Sequence, residues 1–293
     1  MQAFSNYHPF VLLVYFFSVI ITAMFVWNPV IQISALFGAI IFCIALQNRG
    51  EALSGLRFYI PLFVLVALTN PLFSHNGATP LFFLNGNPVT LEAFCYGAAI
   101  AVMVTGVMLW CKCCGEIMSS DKFLYLFGRI IPKLSLVLSM ALRFIPMFIR
   151  QMRKVNRAQK AMGLYASKNY VDKLKGSLRV LSVMVTWSLE NAMETSISMK
   201  AKGYGLKGRT NYALFRFTGK DGLMLSGSIF LIALCVIGAA FGAADFFYYP
   251  RISRISVSVL SLTTYISYGL LALLPFIIET KERLKWKYCV SRI

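Results

Sequence analysis

The segments Asn156-Arg-Ala-Gln-Lys-Ala-Met-Gly163 and Ser198-Met-Lys-Ala-Lys-Gly-Tyr-Gly205 each end a long helical pattern, and they decide how the chain is interpreted. Both lie in a basic block, residues 112–220, which holds twenty of the chain's 29 lysines and arginines and only five of its 11 acids. The block therefore carries +15 of the net charge of +18. We interpret it as a device that binds a partner protein.

Apolar segments long enough to cross a membrane flank this block. The chain is 58% hydrophobic and 14% charged, with a mean hydropathy of +0.68, well above the values usual for soluble proteins. Six runs contain no Asp, Glu, Lys or Arg: 10–27, 30–46, 58–73, 93–110, 222–244 and 255–278. Each approaches the ~20 residues that a helix needs to cross ~30 Å of hydrocarbon. The sequence predicts an all-α polytopic membrane protein with about six transmembrane helices and a cytosolic domain of two long amphipathic helices.

The distribution of lysine and arginine predicts the orientation of the chain. The connection 74–91 contains neither, whereas the basic block and the tail after residue 280 are rich in both. The positive-inside rule therefore places both termini and the block in the cytosol of a multi-pass plasma-membrane protein, with 28–29, 74–91 and 245–254 outside. The excess charge favours contact with anionic lipid over binding of nucleic acid. Three regions are predicted: helices 1–4 in 1–111, the basic helical domain in 112–220, and helices 5–6 with the tail in 221–293.

Within the basic block, two long amphipathic helices are predicted. The first begins at Pro132 and ends at Gly163, with a kink expected at Pro146 because proline lacks the N–H that a helix needs. The second runs over about 170–202 and carries an apolar stripe at helical spacing: Leu174, Leu178, Leu181, Val185, Leu189 and Ala192. Gly163 and Gly203 are placed to adopt the left-handed conformation that stops a helix. These stripes are also compatible with a helical hairpin that packs only on itself.

The two helix ends resemble a known pair of motifs. Gln159-Lys-Ala-Met-Gly163 and Met199-Lys-Ala-Lys-Gly-Tyr204 are similar to the paired Ala-Arg-Gly motifs of the T component of energy-coupling factor transporters. This component is the membrane subunit of ABC-type importers, and its family includes the membrane subunit of cobalt transporters. The preceding Ala141-Leu-Arg-Phe-Ile-Pro146 and the following Gly208-Arg-Thr-Asn-Tyr212 are also similar to that family.

The resemblance implies a non-catalytic coupling subunit. It would transmit ATP-driven motion from two ATP-binding subunits to a separate substrate-capture (S) component that takes up a vitamin or a metal ion, with no cofactor of its own. The implied docking residues are Ala161, Met162, Gly163, Ala201, Lys202 and Gly203, and the implied supporting residues are Arg143, Pro146, Arg157 and Gln159. The family's arginine is replaced by Met162 in the first motif and by Lys202 in the second, and lysine cannot make a bidentate contact.

Other interpretations find less support in the residues. Cys111 and Cys114 have the spacing of half a zinc site, but no second pair lies nearby. Residues 203–208 begin like a phosphate-binding loop, yet they follow a helix and lack the Lys-Ser/Thr ending. A membrane-embedded enzyme of lipid or prenyl metabolism would be expected to carry Asp-rich or His-rich clusters, which the sequence lacks. A plain membrane anchor for a cytosolic complex remains an alternative, and it would have no substrate-capture partner.

Overall fold

The computed structural model describes residues 3–46, 49–74, 77–84, 87–163, 170–206 and 215–290. The helices of these residues are α1 (Pro9–Phe25), α2 (Pro29–Leu46), α3 (Arg49–Phe73), α4 (Leu91–Ile117), α5 (Ser120–Ile130), α6 (Pro132–Ala161), α7 (Tyr170–Ala201), α8 (Gly219–Ala240) and α9 (Val259–Val290). A short 3₁₀ helix, Phe4–Asn6, precedes α1. The strands β1 (Pro80–Leu84) and β2 (Asn87–Thr90) lie between α3 and α4.

The chain divides into two compact units. The first, called here the bundle unit, combines Met1–Lys122 with Phe215–Ile293. The second, the helix-pair unit, is Phe123–Leu214 and contains α6 and α7, which pack on each other. Helix α5 starts in the bundle unit and continues into the helix-pair unit.

In the bundle unit, α2 packs against α4 and α9, α3 packs against α4, α8 packs against α9, and α1 packs against both α4 and α8. Large aromatic side chains fill these interfaces and hydrogen-bond at their polar tips. The Trp110 indole donates to the carbonyl of Ala35 at 3.0 Å, and the Tyr15 hydroxyl donates to the carbonyl of Leu271 at 2.8 Å. A buried indole or hydroxyl needs such a partner because water does not reach it. These bonds join α4 to α2 and α1 to α9.

The predicted fold class is confirmed, and the length of the spans differs in detail from the prediction. The six uncharged runs fall on α1, α2, α3, α4, α8 and α9. Five helices of the described chain are long and apolar enough to cross a membrane, namely α2, α4, α8, α9 and the Lys133–Ala161 part of α6, while Pro9–Phe25 and Arg57–Phe73 are shorter. Helix α6, predicted to be cytosolic, qualifies because its first half is apolar and its cations cluster in its second half.

The connection between α3 and α4 contains a β-hairpin that the sequence interpretation treated as loop. Strands β1 and β2 pair antiparallel, with Phe83 opposite Pro88. In the sequence, an Asn-Gly pair lies between Leu81-Phe-Phe-Leu84 and Asn87-Pro-Val-Thr90. Two short segments joined by such a pair are typical of a hairpin. Glu92, buried in the first turn of α4, accepts hydrogen bonds from the backbone and hydroxyl of Thr79 just before β1. This bond fixes the hairpin to the start of α4.

Candidate functional site

The end of α6 is the first of the two predicted motif ends. Gly163 has φ +77°, the left-handed conformation that the sequence predicted for it. Its N–H donates to the carbonyl of Lys160 at 3.1 Å, and the N–H of Met162 donates to Ala158 at 3.1 Å. Among the described residues, nothing lies within 4 Å of a Cβ added to Gly163. The helix therefore stops because the backbone turns left-handed, and no described residue covers this end.

The end of α7 is built in the same way. Gly203 has φ +78°, its N–H donates to the carbonyl of Lys200 at 3.0 Å, and the N–H of Tyr204 donates to Met199 at 3.0 Å. This pair of bonds is the Schellman motif, in which a left-handed glycine closes the last helical turn. The two motifs thus share their backbone conformation as well as their sequence. Residues 208–212, which also resemble the family's pattern, lie outside the described residues.

Both ends are exposed and positively charged. Ala161, Met162 and Gly163 are exposed at the end of α6, and Ala201 and Lys202 are exposed at the end of α7, where Gly203 is half-buried. Lys160 and Lys200 lie in the last turn of each helix, where the helix dipole is negative. Within the described chain, neither of these lysines nor Lys202 forms an ion pair. Each end is therefore available for a partner that offers acidic groups and close backbone approach.

The predicted supporting residues occupy different environments. Arg143 is exposed, with its guanidinium 5.7 Å from the centroid of the Phe144 ring, and Arg157 is also exposed. Helix α6 continues through Pro146, whose carbonyl accepts a hydrogen bond from Nε of Arg150 at 3.3 Å. Gln159, in contrast, is 7% exposed, and its side-chain oxygen has no hydrogen-bond partner among the described residues. Only Gln159 of this set is placed to shape the helix end by packing.

An aromatic contact joins the two helices near their midpoints. The rings of Phe148 and Trp187 lie edge to face, with centroids 5.2 Å apart and planes at 79°. Phe148 is 13 residues before Ala161, and Trp187 is 14 residues before Ala201. At 1.5 Å per helical residue, each motif end therefore lies about 20 Å from the contact. Trp187 was not singled out from the sequence, although it is the only tryptophan of the basic block.

The separation of the two motif ends follows from these lengths. Tyr170, the first residue of α7, is 17 residues before Trp187, or about 26 Å along the helix. The chain from Ala161 to Tyr170 can span at most about 32 Å, so the end of α6 must lie on the same side of the contact as the start of α7. Gly203 is then on the other side. With each motif end about 20 Å from the contact, Gly163 and Gly203 lie about 30 Å apart if the two directions are perpendicular and about 40 Å apart if they are opposite.

The face of α7 that packs is not the apolar stripe identified in the sequence. The buried residues of α7 are Gly176 and Val180, and Trp187 is half-buried on the same face. The predicted stripe lies on the opposite face and is exposed, with Leu174, Leu178 and Leu189 all near 60% exposure. A hairpin that packs only on itself would bury that stripe. The helix-pair unit instead presents a long apolar surface.

The cysteines considered for a metal site lie on α4. Cys111 is exposed, Cys113 is buried and Cys114 is half-buried, and all are free thiols. Among the residues that the structure describes, no three His, Cys, Asp or Glu side chains are grouped so that they could hold a metal ion.

Comparison with known proteins gives a consistent result. The model of the CbiQ family, described as cobalt transport protein, matches residues 5–212. The chain is 28% identical over 205 residues to the energy-coupling factor transporter transmembrane protein EcfT of Listeria innocua, covering 65% of this chain and 77% of that protein. The EcfT protein of Bacillus selenitireducens is 29% identical over 197 residues, covering 63% and 72%. That of Bacillus subtilis is 34% identical over 104 residues, which span 39% of its length.

Proposed function

The chain belongs to the CbiQ family of cobalt transport proteins, and from this membership we propose that it is the coupling subunit of an energy-coupling factor importer. In this proposal, Ala161, Met162 and Gly163 dock on one ATP-binding subunit, and Ala201, Lys202 and Gly203 dock on a second. Closure and opening of the two subunits on ATP would move the helix ends, and α6 and α7 would carry that movement as rigid rods.

One observation carries the proposal: the two helix ends have the same construction and lie at equal distances from one contact. Gly163 and Gly203 share a left-handed φ and the same capping bond to the lysine three residues earlier. A separation of about 30 to 40 Å is too large for one small groove and suits two neighbouring subunits.

The two ends differ in one side chain, and the difference suits two non-identical ATP-binding subunits. Lys202 offers a mobile positive charge, whereas Met162 is 67% exposed and offers only a flexible apolar side chain. An acidic groove would prefer the α7 end, and an apolar groove would accept the α6 end. A homodimer would have to bind both with the same groove.

The exposed stripe of α7 supports a further partner. Leu174, Leu178, Leu181, Val185 and Leu189 form a continuous apolar face that no described part of the helix-pair unit covers. We propose that the substrate-capture component binds there. In this proposal that component, and not the coupling subunit, selects the vitamin or metal ion.

Purification with candidate ATP-binding subunits tests this function. Ala161 and Ala201 are equivalent exposed residues, so Ala161→Cys and Ala201→Cys are introduced singly into a variant that lacks the seven native cysteines. Each is expected to cross-link to an ATP-binding subunit, while Ala141→Cys, exposed in the middle of α6, should not. The purified single chain should not hydrolyse ATP. Absence of both cross-links in a complex that transports, or ATPase activity of the chain alone, would overturn the proposal.

The alternatives give different results in the same experiment. A plain membrane anchor would retain ATP-binding subunits without any substrate-capture component. A membrane-embedded enzyme would purify without either.

A further inference from the structure

Residues 3–8, called here the N-terminal segment, are held in the bundle unit by three charged side chains that are far apart in the sequence. Lys122 donates from Nζ to the carbonyl of Ser5 at 2.6 Å, to its hydroxyl at 2.9 Å, and to the carbonyl of Ile117 at 2.9 Å. Oδ1 of Asp221 accepts from the N–H of His8 at 2.8 Å. Oε2 of Glu279 accepts from the N–H groups of Ala3 at 2.9 Å and Phe4 at 3.3 Å.

These three side chains are almost completely buried. Lys122, Asp221 and Glu279 are 6%, 3% and 1% exposed, and Glu92 is the only other buried charged residue among those described. Removing a charge from water is costly unless hydrogen bonds replace the lost hydration. Burial lowers the pKa of the Lys122 ammonium for the same reason. Three of the four buried charged side chains in the described chain therefore bond to one six-residue segment.

An aromatic core fixes the segment from its other side. Phe4 is 0% exposed, and its ring lies 5.5 to 6.1 Å from the rings of Tyr15, Phe16 and Phe42. Arg283 pairs with Glu279 at 3.5 Å and donates to the carbonyl of Ala45. The segment is thus joined to α1, α2 and α9 by packing and by hydrogen bonds.

Lys122 and Asp221 lie close to the two points at which the chain passes between the bundle unit and the helix-pair unit. Lys122 is the last residue of the bundle unit before the chain enters the helix-pair unit, and the chain re-enters the bundle unit at Phe215, six residues before Asp221. Both crossings between the units are therefore bonded to the same segment, one through Ser5 and the other through His8. Asp221 caps α8 through Oδ2, which accepts from Thr218, so the bond from the His8 N–H to Oδ1 is additional to helix capping.

We infer that Lys122 and Asp221 are positioning residues for coupling: they anchor both chain crossings to the N-terminal segment, so that displacement of the helix-pair unit reaches the bundle instead of being absorbed at the crossings. The inference rests on the proposed function, because coupling presupposes ATP-driven movement of α6 and α7. Freeing either crossing should lower the amount of substrate moved per ATP hydrolysed. It should leave docking of the ATP-binding subunits unchanged.

The experiment uses the full transporter in vesicles and measures transport and ATP hydrolysis on the same sample. Lys122→Met and Asp221→Ala remove one anchor each, and substrate moved per ATP is expected to fall about tenfold, within the usual range of coupling free energies. The matched controls are Lys220→Met and Asp121→Ala, which make the same changes at exposed positions, each beside the other of the two crossings. Both controls should keep the parent ratio. Lys122→Arg keeps the positive charge and should keep most of the parent's ratio of substrate moved to ATP hydrolysed.

A separate variant distinguishes anchoring from helix capping. Oδ2 of Asp221 accepts from the Thr218 hydroxyl at 2.6 Å, whereas His8 is bonded to Oδ1. Thr218→Val removes the hydroxyl of the capping box and leaves the bonds from the Thr218 N–H to Oδ2 and from the His8 N–H to Oδ1, so it should lower the stability of α8 without changing substrate moved per ATP. If Thr218→Val lowers that ratio as much as Asp221→Ala does, the role of Asp221 is capping and the inference is wrong.

Two further outcomes decide the matter. If the variants assemble and transport with the parent ratio, the anchors do not serve coupling. If a variant fails to accumulate, the milder variant Lys122→Gln is used, and hydrogen exchange of the backbone amides of residues 3–8 is measured. Protection equal to that of the parent chain would contradict anchoring by Lys122. The parent chain distinguishes the two proposals, because failure of the parent to bind ATP-binding subunits refutes the proposed function itself.

Discussion

The rings of Phe148 and Trp187 contact each other edge to face at 5.2 Å, almost equally far from the ends of the helices that carry them. In the proposed mechanism, this contact serves as the pivot of the α6–α7 pair. Because it lies near both midpoints, tilting a rigid helix about it would move the two helix ends by similar distances.

The strength of this ring contact can be tested by a double-mutant cycle on Phe148→Ala and Trp187→Ala. The two rings should couple by about 0.5 to 1.5 kcal/mol beyond their area of burial, measured as the free energy of unfolding in detergent. Met193→Ala, at an exposed position of α7, should couple with neither. Additive effects of the two ring deletions would mean that the contact contributes nothing specific.

The left-handed glycines give a second prediction. Gly163→Val and Gly203→Val should each strain a helix end by about 1 to 2 kcal/mol and block close approach of a partner, which lowers recovery of the ATP-binding subunits in a pull-down. Gly242→Val is the matched control, since Gly242 has φ +71° and ends α8 with the same pair of bonds. That variant should lose stability but keep docking. Equal recovery from all three variants would contradict a docking role for the motifs.

The charge difference between the two ends gives a third prediction. Lys202→Glu places a negative charge where the helix dipole is already negative, and it should weaken binding of the ATP-binding subunit several-fold, at about 1 kcal/mol or more. Met162→Arg should leave assembly intact or tighten it. Lys133→Glu, exposed at the start of α6, serves as the control. The affinity is measured in detergent at two salt concentrations, and the effect of Lys202→Glu should shrink at the higher one. No change with Lys202→Glu at low salt would argue against a charge contact.

Membrane orientation is tested by labelling with an impermeant thiol reagent. In a variant without native cysteines, Ala78→Cys should react from outside the cell and Lys285→Cys only after the membrane is opened. Both positions are exposed in the structure. Reversed labelling would place the helix ends on the side without ATP, which would contradict docking of ATP-binding subunits.

The sequence by itself determined the features that depend on local chemistry. Uncharged runs of membrane length identified the helices of the bundle, and the Met-Gly and Lys-Gly pairs identified where α6 and α7 end. A glycine that ends a helix is recognisable because only its immediate neighbours decide its φ. The hairpin β1–β2 was equally local and could have been predicted from the Asn-Gly pair in its sequence.

The tertiary structure decided which surfaces meet. The stripe of leucines on α7 predicted a packing face, yet the buried residues of α7 are Gly176 and Val180, and Trp187 on the same face contacts Phe148 of α6. Lys122, Asp221 and Glu279 bond to residues 3–8, which lie 117 to 276 positions away, and no local pattern in the sequence links them. Periodicity reports which face of a helix is apolar, but long-range closure of the chain determines what that face and those charges contact.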